Sequence, residues 1–123
     1  MHNTTRASQL VAAVVLAASP PANAAGPAEA AFIQCAACHQ AEKGAAHGVG
    51  PNLFGVFGRE KAAAPDYVFS RTLRKQGGVW TEAELHRWLE NPQAYAPGTK
   101  MAYGGLKDEA ARQAVIDFLK TLR

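Results

Sequence analysis

The chain of 123 residues has little of what several common protein classes require. It has only two cysteines, so it can build neither a disulfide framework nor a zinc site made of two cysteine pairs. It contains no run of basic residues, which argues against a nucleic-acid-binding protein. The apolar run near its N-terminus is too short for a lasting membrane span. The interpretation therefore depends on where the few cysteine, histidine and methionine residues lie.

Both cysteines fall in one short motif, Cys35-Ala36-Ala37-Cys38-His39. This spacing places the two sulfur atoms on one side of a helical turn, and the next residue supplies an imidazole. The C-x-x-C-H pattern is typical of covalent attachment of a c-type haem. The sequence therefore predicts that Cys35 and Cys38 hold one haem c and that His39 binds its iron.

Three other interpretations of the motif fit the chain less well. A redox dithiol normally lies in a βαβ unit, and no alternation of strand and helix surrounds Cys35. Half of a zinc site would need further ligands, but His2, His47 and His86 are scattered along the sequence. A disulfide between residues three apart would close too small a loop to stabilise the fold much.

The first 24 residues have the pattern of a secretory signal peptide. Arg6 precedes a short apolar run from Leu10 to Ala18, and Ala22-Asn23-Ala24 is a typical cleavage site. We expect cleavage after Ala24, which leaves residues 25–123 as one small domain in the periplasm. A mitochondrial presequence is a weaker alternative because only one arginine is present, and retention of the segment as an anchor is another.

The helix signals at the two ends of this domain predict an all-α fold. Pro27 suits the first turn of a helix that should extend to Cys38. Asp108 is a suitable N-cap for a last helix that should extend to about Leu122. Apolar residues recur along that last helix at steps of three and four: Ala111, Val115, Phe118, Leu119 and Leu122.

These two helices are expected to cross and to close the fold around the haem. The first helix offers Phe32 and Ile33 as its bulky apolar pair, and the last offers Phe118. If Phe118 is a core residue, its replacement by alanine should cost about 3–5 kcal/mol.

Between the terminal helices the sequence predicts two shorter ones. One lies around residues 70–75, and the other is capped by Thr81 and Glu84 and should run from Glu82 to about Asn91. His86 lies off the apolar face of the second helix and is expected to be exposed to solvent. Residues 93–106 are expected to form a loop.

A second iron ligand is predicted in that loop. Met101 is the only methionine of the domain, its thioether is a soft ligand, and His/Met ligation raises the reduction potential of a haem. Met101 as a packing residue, and His47 as the ligand in its place, remain alternatives. We favour a structural role for His47, in which its ring is hydrogen-bonded to a neighbouring loop.

Two residues between the motif and the middle helices are further candidates. The carbonyl of Pro51 is suited to accept the free N–H of a ligating imidazole, as metal-bound histidines usually require. Arg59 is the one cation of a mostly apolar stretch, so it is either a surface charge or the partner of a haem propionate.

With these residues identified, the chain from about Pro27 to Arg123 resembles the class I cytochromes c. Besides the attachment motif, the resemblance rests on segments at matching spacing: Glu42 through His47 to Arg59, Gly77 to Trp80, Leu89 to Pro92, Tyr95, and Pro97 to Met101. It implies a small all-α cytochrome c fold, with the N- and C-terminal helices crossing around a covalently bound haem.

The resemblance also implies a role for each matching residue. Cys35 and Cys38 would attach the haem, and His39 and Met101 would be the axial iron ligands. Pro51, Arg59, Trp80 and Thr99 would form the haem environment, and His47 would join two loops.

The chain departs from the family in the ring of lysines with which mitochondrial cytochrome c docks on its partners. Gln34, Gln93 and Ala94 stand where that family often has lysine, whereas Lys100 and Lys107 remain. We therefore expect weak electrostatic steering and a more apolar contact around the haem edge.

The sequence as a whole predicts a soluble one-electron carrier, not an enzyme. Its partners would be redox proteins, namely a dehydrogenase or reductase as donor and an oxidase or reductase as acceptor, in a respiratory chain. We expect a monomer that binds no nucleic acid and meets membranes only through its partners. The alternative function is a haem peroxidase or gas sensor in which the Met101 ligand is labile.

Overall fold

The computed structural model describes residues 13–19 and 26–123, and the architecture of these residues is all-α, as predicted. Five helices follow in chain order: α1 (Pro27–Ala36), α2 (Arg71–Gln76), α3 (Glu82–Glu90), α4 (Pro92–Tyr95) and α5 (Glu109–Thr121). Among the described residues there is no strand, only an isolated antiparallel bridge between Glu60 and Val79. The predicted cleavage site after Ala24 lies outside the described residues.

Helix α1 begins where the sequence predicted but ends earlier. Pro27 occupies its first turn, and the Gly26 N–H donates to a carboxylate oxygen of Glu29 at 3.1 Å. The helix ends at Ala36 rather than Cys38, and the Cys38 N–H donates to the carbonyl of Cys35, three residues back, instead of four residues back as in an α-helix. The motif therefore straddles the helix end, and His39 lies on the turn that follows.

Helix α5 packs across α1, as the sequence predicted. The Asp108 side chain accepts from the N–H of Ala111, which satisfies one of the free donors at the start of the helix. Val115, Ile116 and Leu119 are buried, and Ile116 was not among the predicted core residues. The helix therefore buries a wider stripe than the predicted spacing indicated.

The predicted apolar pair on α1 is divided between the core and the surface. Phe32 is buried and its ring centroid lies 4.7 Å from that of Phe118, whereas the Ile33 residue is 66% exposed. Adjacent residues on a helix point about 100° apart, so only one of the two faces α5. The expectation that Ile33 packs in the core was wrong.

The structure corrects two expectations for the middle of the chain. Residues 92–95 form the short helix α4 instead of a loop, because Pro92 takes its first position and Asn91 caps it by accepting from the Ala94 N–H. His86 is half-buried rather than exposed. Its Nδ1 accepts from Arg112 Nε at 3.2 Å and its Nε2 donates to Gln113 at 2.9 Å. His86 does not belong to the apolar face of α3, but side chains of α5 cover it.

The crossing of α1 and α5 leads to a first expected result. Phe32→Ala should destabilise the holoprotein by about 3–5 kcal/mol, because it removes a buried ring and leaves a cavity. Phe118→Ala should cost less than that, since Phe118 is only half-buried. Unfolding in denaturant measures both free energies, and Ile33→Ala, at an exposed position of the same helix, is the control. Equal costs for Phe32→Ala and Ile33→Ala would contradict this packing.

No helix in the described ranges, 13–19 and 26–123, is long and apolar enough to cross a membrane. Residues 13–19 form neither helix nor strand.

Candidate haem site

A cavity of about 300 Å³ lies between α1, α3, α5 and the loops that join them. Apolar and aromatic side chains form most of its wall, among them Phe32, Leu53, Val56, Leu73 and Leu119. The wall also contains every site residue that the sequence predicted: Cys35, Cys38, His39, Pro51, Arg59, Trp80, Thr99 and Met101. The fold therefore brings together, around one cavity, residues that span 67 positions of the sequence.

His39 is held on the cavity wall by the carbonyl of Pro51. Its Nδ1 donates to the Pro51 oxygen at 2.7 Å, which leaves the Nε2 lone pair free for a metal. Burial lowers the pKa of His39, although the hydrogen bond to Pro51 works in the opposite direction. Since a ligating imidazole must have a free lone pair, burial favours the form that binds iron.

Gly50 makes room for the His39 ring. A Cβ atom at this position would lie 2.7 Å from Nδ1 and 2.8 Å from Nε2 of His39. The Gly50 N–H also donates to the Cys38 carbonyl at 2.9 Å, which fixes the backbone of this loop against the motif. The sequence does not reveal this role of Gly50, because a glycine in a loop gives no sign of which side chain it faces.

The two cysteines are free thiols at the edge of the cavity. Cys35 is half-buried and Cys38 is exposed. Burial, with a smaller effect of Cys38, raises the pKa of the Cys35 thiol, so the site does not favour a thiolate of the kind found in redox dithiols. In the part of the chain that the structure describes, no group of three or more histidine, cysteine or acidic residues is placed to hold a metal ion. The zinc interpretation thus gains no support.

Side-chain hydrogen bonds hold the segment that carries Met101 on both sides of this residue. On one side, the Lys100 ammonium donates to the carbonyl of Val68 at 2.8 Å. On the other side, the Tyr103 hydroxyl donates to the Gln34 side chain at 3.0 Å, next to the first cysteine of the motif. Thr99 lies on the same wall, and its hydroxyl is 3.5 Å from the Met101 N–H. Met101 is therefore held against the cavity by contacts with two distant parts of the chain.

Arg59 brings a half-buried positive charge to the cavity. Its Nη1 donates to the Phe54 carbonyl at 3.2 Å, whereas its Nε is buried with no hydrogen-bond partner. Burial lowers the pKa of this guanidinium. A buried donor without a partner is costly, and an acidic group entering the cavity would satisfy it. The haem propionates are such groups, so this observation fits the cofactor.

Two backbone hydrogen bonds hold Trp80 beside Gly58 and Arg59. The Trp80 N–H donates to the Arg59 carbonyl at 2.9 Å, and the Gly58 N–H donates to the Trp80 carbonyl at 2.9 Å. The Trp80 ring is buried and packs on Trp88 and Tyr95, with centroids 5.7 and 6.0 Å apart. Trp80 and Trp88 form this aromatic wall of the cavity, and Tyr95 packs behind them.

His47 takes the structural role that the sequence favoured. Its Nε2 donates to the Pro65 carbonyl at 2.7 Å, and its Nδ1 accepts from the Asn52 N–H at 2.9 Å. Both ring nitrogens are therefore engaged, and the ring joins two loops rather than lining the main cavity.

A cluster of charged side chains that was not predicted from the sequence lies next to Trp80 and Tyr95. Lys61 pairs with Glu84 at 2.8 Å, and the Tyr95 hydroxyl donates to the same carboxylate. Glu84 was predicted only as part of a helix cap, and a lone lysine between two short elements gives no signal of burial.

The helices, the covalent attachment motif and the apolar cavity define a small c-type haem protein. Comparison with known proteins gives the family. A family profile described as cytochrome c matches residues 24–123. Cytochrome c from Kluyveromyces lactis is 44% identical over 86 residues, which are 70% of this chain and 78% of the relative.

Two further relatives extend the likeness to plants and bacteria. Cytochrome c from Sesamum indicum is 39% identical over 102 residues, which are 83% of this chain and 92% of the relative. Cytochrome c2 from Afifella marina is 42% identical over 93 residues, which are 73% of this chain and 75% of the relative.

The chain therefore belongs to the cytochrome c family. It is a haem electron carrier rather than an enzyme, its cofactor is a covalently bound haem c with iron, and its partners are redox proteins.

Proposed function

We propose that this protein is a periplasmic one-electron carrier in which His39 and Met101 are the axial ligands of the haem iron and Cys35 and Cys38 hold the haem covalently. The observation that carries the proposal is the hydrogen bond from His39 Nδ1 to the Pro51 carbonyl, 2.7 Å long, at a cavity that Met101 and both cysteines also line. Since this contact leaves Nε2 free, it supports His39 as a ligand.

Arg59, Trp80 and Thr99 are proposed to form the surroundings of the haem. Arg59, with its unpartnered buried Nε, would bind a haem propionate, and Trp80 would keep that part of the cavity dry. Thr99 would hold the backbone on the N-terminal side of Met101. When bound, the haem supplies one-electron chemistry at iron, and the protein's part is to bind it, orient His39 and exclude water.

The docking surface for redox partners is proposed to be mostly neutral. Gln34, Gln93 and Ala94 are exposed. The ammonium of Lys100 donates to the Val68 carbonyl, and that of Lys107 to the Glu90 carbonyl at 2.5 Å. Because both acceptors are neutral carbonyls, the two lysines keep their charge, and the proposed weak steering rests on the uncharged Gln34, Gln93 and Ala94.

This proposal leads to an expected salt dependence. The rate of association with the physiological redox partner should change little as ionic strength rises, because few free charges steer the encounter. Stopped-flow electron transfer across a salt series measures that rate. The variant Gln34→Lys should be faster at low salt if the partner is acidic. A steep fall in the wild-type rate with salt would refute the neutral surface.

The location of the protein rests on the N-terminal segment. Cleavage after Ala24 would release residues 25–123 into the periplasm, where we propose that the protein serves a respiratory chain as a monomer. N-terminal sequencing of protein from the native cell fraction tests this point. A mature chain that still begins at Met1 would contradict it.

A visible spectrum of the purified holoprotein tests the ligand assignment. We expect the oxidised form to show the weak near-red band of an iron–sulfur bond and the reduced form to be unaffected by CO. A missing band together with a ready response to CO would mean that the sixth position is open and would overturn the role of Met101.

A further inference from the structure

We propose that Lys61 and Glu84 form a half-buried ion pair that sets the reduction potential of the haem through the aromatic wall of its cavity. The inference goes beyond the electron-carrier function and rests on the presence of the haem in this cavity. Its starting point is the position of the Lys61 ammonium, 5.5 Å from the ring centroid of Trp80, which lines the cavity.

The Lys61 side chain is almost completely buried. It is 6% exposed, and its ammonium lies 2.8 Å from Glu84 Oε2 and 5.5 Å from the ring centroids of both Trp80 and Tyr95. Lysine is rarely buried unless it is paired. Its backbone is fixed as well, since the Lys61 N–H donates to the Gly78 carbonyl at 2.9 Å. The cation therefore has a defined place beside the wall.

Glu84 is the outer partner of the pair. Its side chain is 24% exposed, and besides Lys61 it accepts from Arg87 at 3.0 Å and from the Tyr95 hydroxyl. The Arg87 side chain is 67% exposed, so solvent screens its charge more strongly. The inner charge of the cluster is thus positive.

Both members of the pair are charged at neutral pH. Hydrogen bonds from Lys61 and Tyr95 lower the pKa of Glu84 from 4.5 to about 2. Burial opposes the charge on Lys61, but its contacts with Glu84 and Tyr95 outweigh this effect and raise the pKa of the lysine. Because the carboxyl pKa is depressed, its contribution to stability is present above pH 4.5 and is lost only as the pH falls towards about 2.

The pair acts on the haem through its field. Oxidation adds one positive charge at the iron, so a nearby cation disfavours oxidation and a nearby anion favours it. With both partners present the two fields largely cancel, and the inner lysine leaves a small excess that favours the reduced form. Removing one partner uncovers the charge of the other.

Potentiometric titration of holoprotein variants at about pH 6 tests this inference, since an ordinary carboxylate and an ordinary lysine are both charged there. Glu84→Gln should shift the equilibrium towards the reduced haem by about fivefold, and Lys61→Gln should shift it towards the oxidised haem by a similar factor. The double variant should fall between them. Structural damage alone would not give shifts of opposite sign.

A second ion pair provides the matched control. Lys120 pairs with Glu82 at 2.5 Å on the outside of α3 and α5, with side chains 31% and 44% exposed, and neither residue lines the cavity. Lys120→Gln and Glu82→Gln should each change the equilibrium by less than about twofold, because solvent screens exposed charges.

Two results would overturn the proposal. One is that Glu84→Gln and Lys61→Gln shift the potential in the same direction, and the other is that neither differs from the Lys120 and Glu82 controls. If Lys61→Gln does not fold, Glu84→Gln is compared with Glu84→Asp, which keeps the charge. A rise for the glutamine variant alone supports the proposal, and equal potentials overturn it.

Discussion

Replacement of Met101 by leucine is expected to open the sixth coordination position of the iron. Leucine has a similar volume but no sulfur, so the packing of the half-buried side chain is kept while the proposed ligand is lost. The near-red band of the oxidised protein should disappear and the reduced protein should bind CO. Since a methionine ligand raises the potential, the potential should fall on the order of 0.1 V or more.

The same loop offers a control for this experiment. Tyr103→Phe removes only the hydroxyl that donates to Gln34 at 3.0 Å and leaves Met101 in place. Loss of this exposed contact should cost about 0.5–1 kcal/mol and leave the near-red band intact. A leucine variant that keeps the band and ignores CO would show that another residue occupies the sixth position.

Gly50→Ala is expected to have the second large effect, although it adds only one methyl group. The new carbon would lie 2.7 Å from His39 Nδ1, so the ring must move. Movement of the ring breaks its hydrogen bond to Pro51 and weakens the proposed iron ligand. We expect the holoprotein to lose about 3 kcal/mol or more of stability, together with a changed haem spectrum.

Gly104→Ala is the control for the glycine substitution. Nothing lies within 4 Å of a Cβ at Gly104, so the free energy of unfolding of this variant should differ from that of the wild type by less than about 1 kcal/mol. Denaturant unfolding followed at the haem band compares the two variants. Equal free energies of unfolding for Gly50→Ala and Gly104→Ala would mean that the backbone around Gly50 can shift at little cost and that His39 is not tightly confined.

Several features set by neighbouring residues were predicted correctly from the sequence, whereas others, set by contacts within the folded chain, were not. The helix starts at Pro27, Glu82 and Glu109 follow from residues within three positions of each start, and they were predicted correctly. The end of α1 was predicted two residues too late, because it depends on backbone contacts to the Cys35 carbonyl. Sequence patterns do not reveal which carbonyl an N–H will choose.

The errors at Ile33 and His86 have the same origin. Each was assigned from its position on its own helix, whereas exposure depends on which other helix covers that position. Helix α5 covers Phe32 and not Ile33, and its Arg112 reaches back to His86. An amphipathic pattern shows that a helix has an apolar side but not where the neighbouring helices end.

The sequence by itself determined the chemistry of this protein. The C-x-x-C-H motif predicts haem attachment, and the one later methionine of the domain offers a second iron ligand, since bonding to haem and iron depends on residue type. Only the tertiary structure decided what surrounds that chemistry. It brings Pro51 to His39, leaves Arg59 Nε without a partner, and buries Lys61 behind Trp80. Burial and electric fields depend on distances between residues far apart in the chain, and the packing of the helices sets these distances.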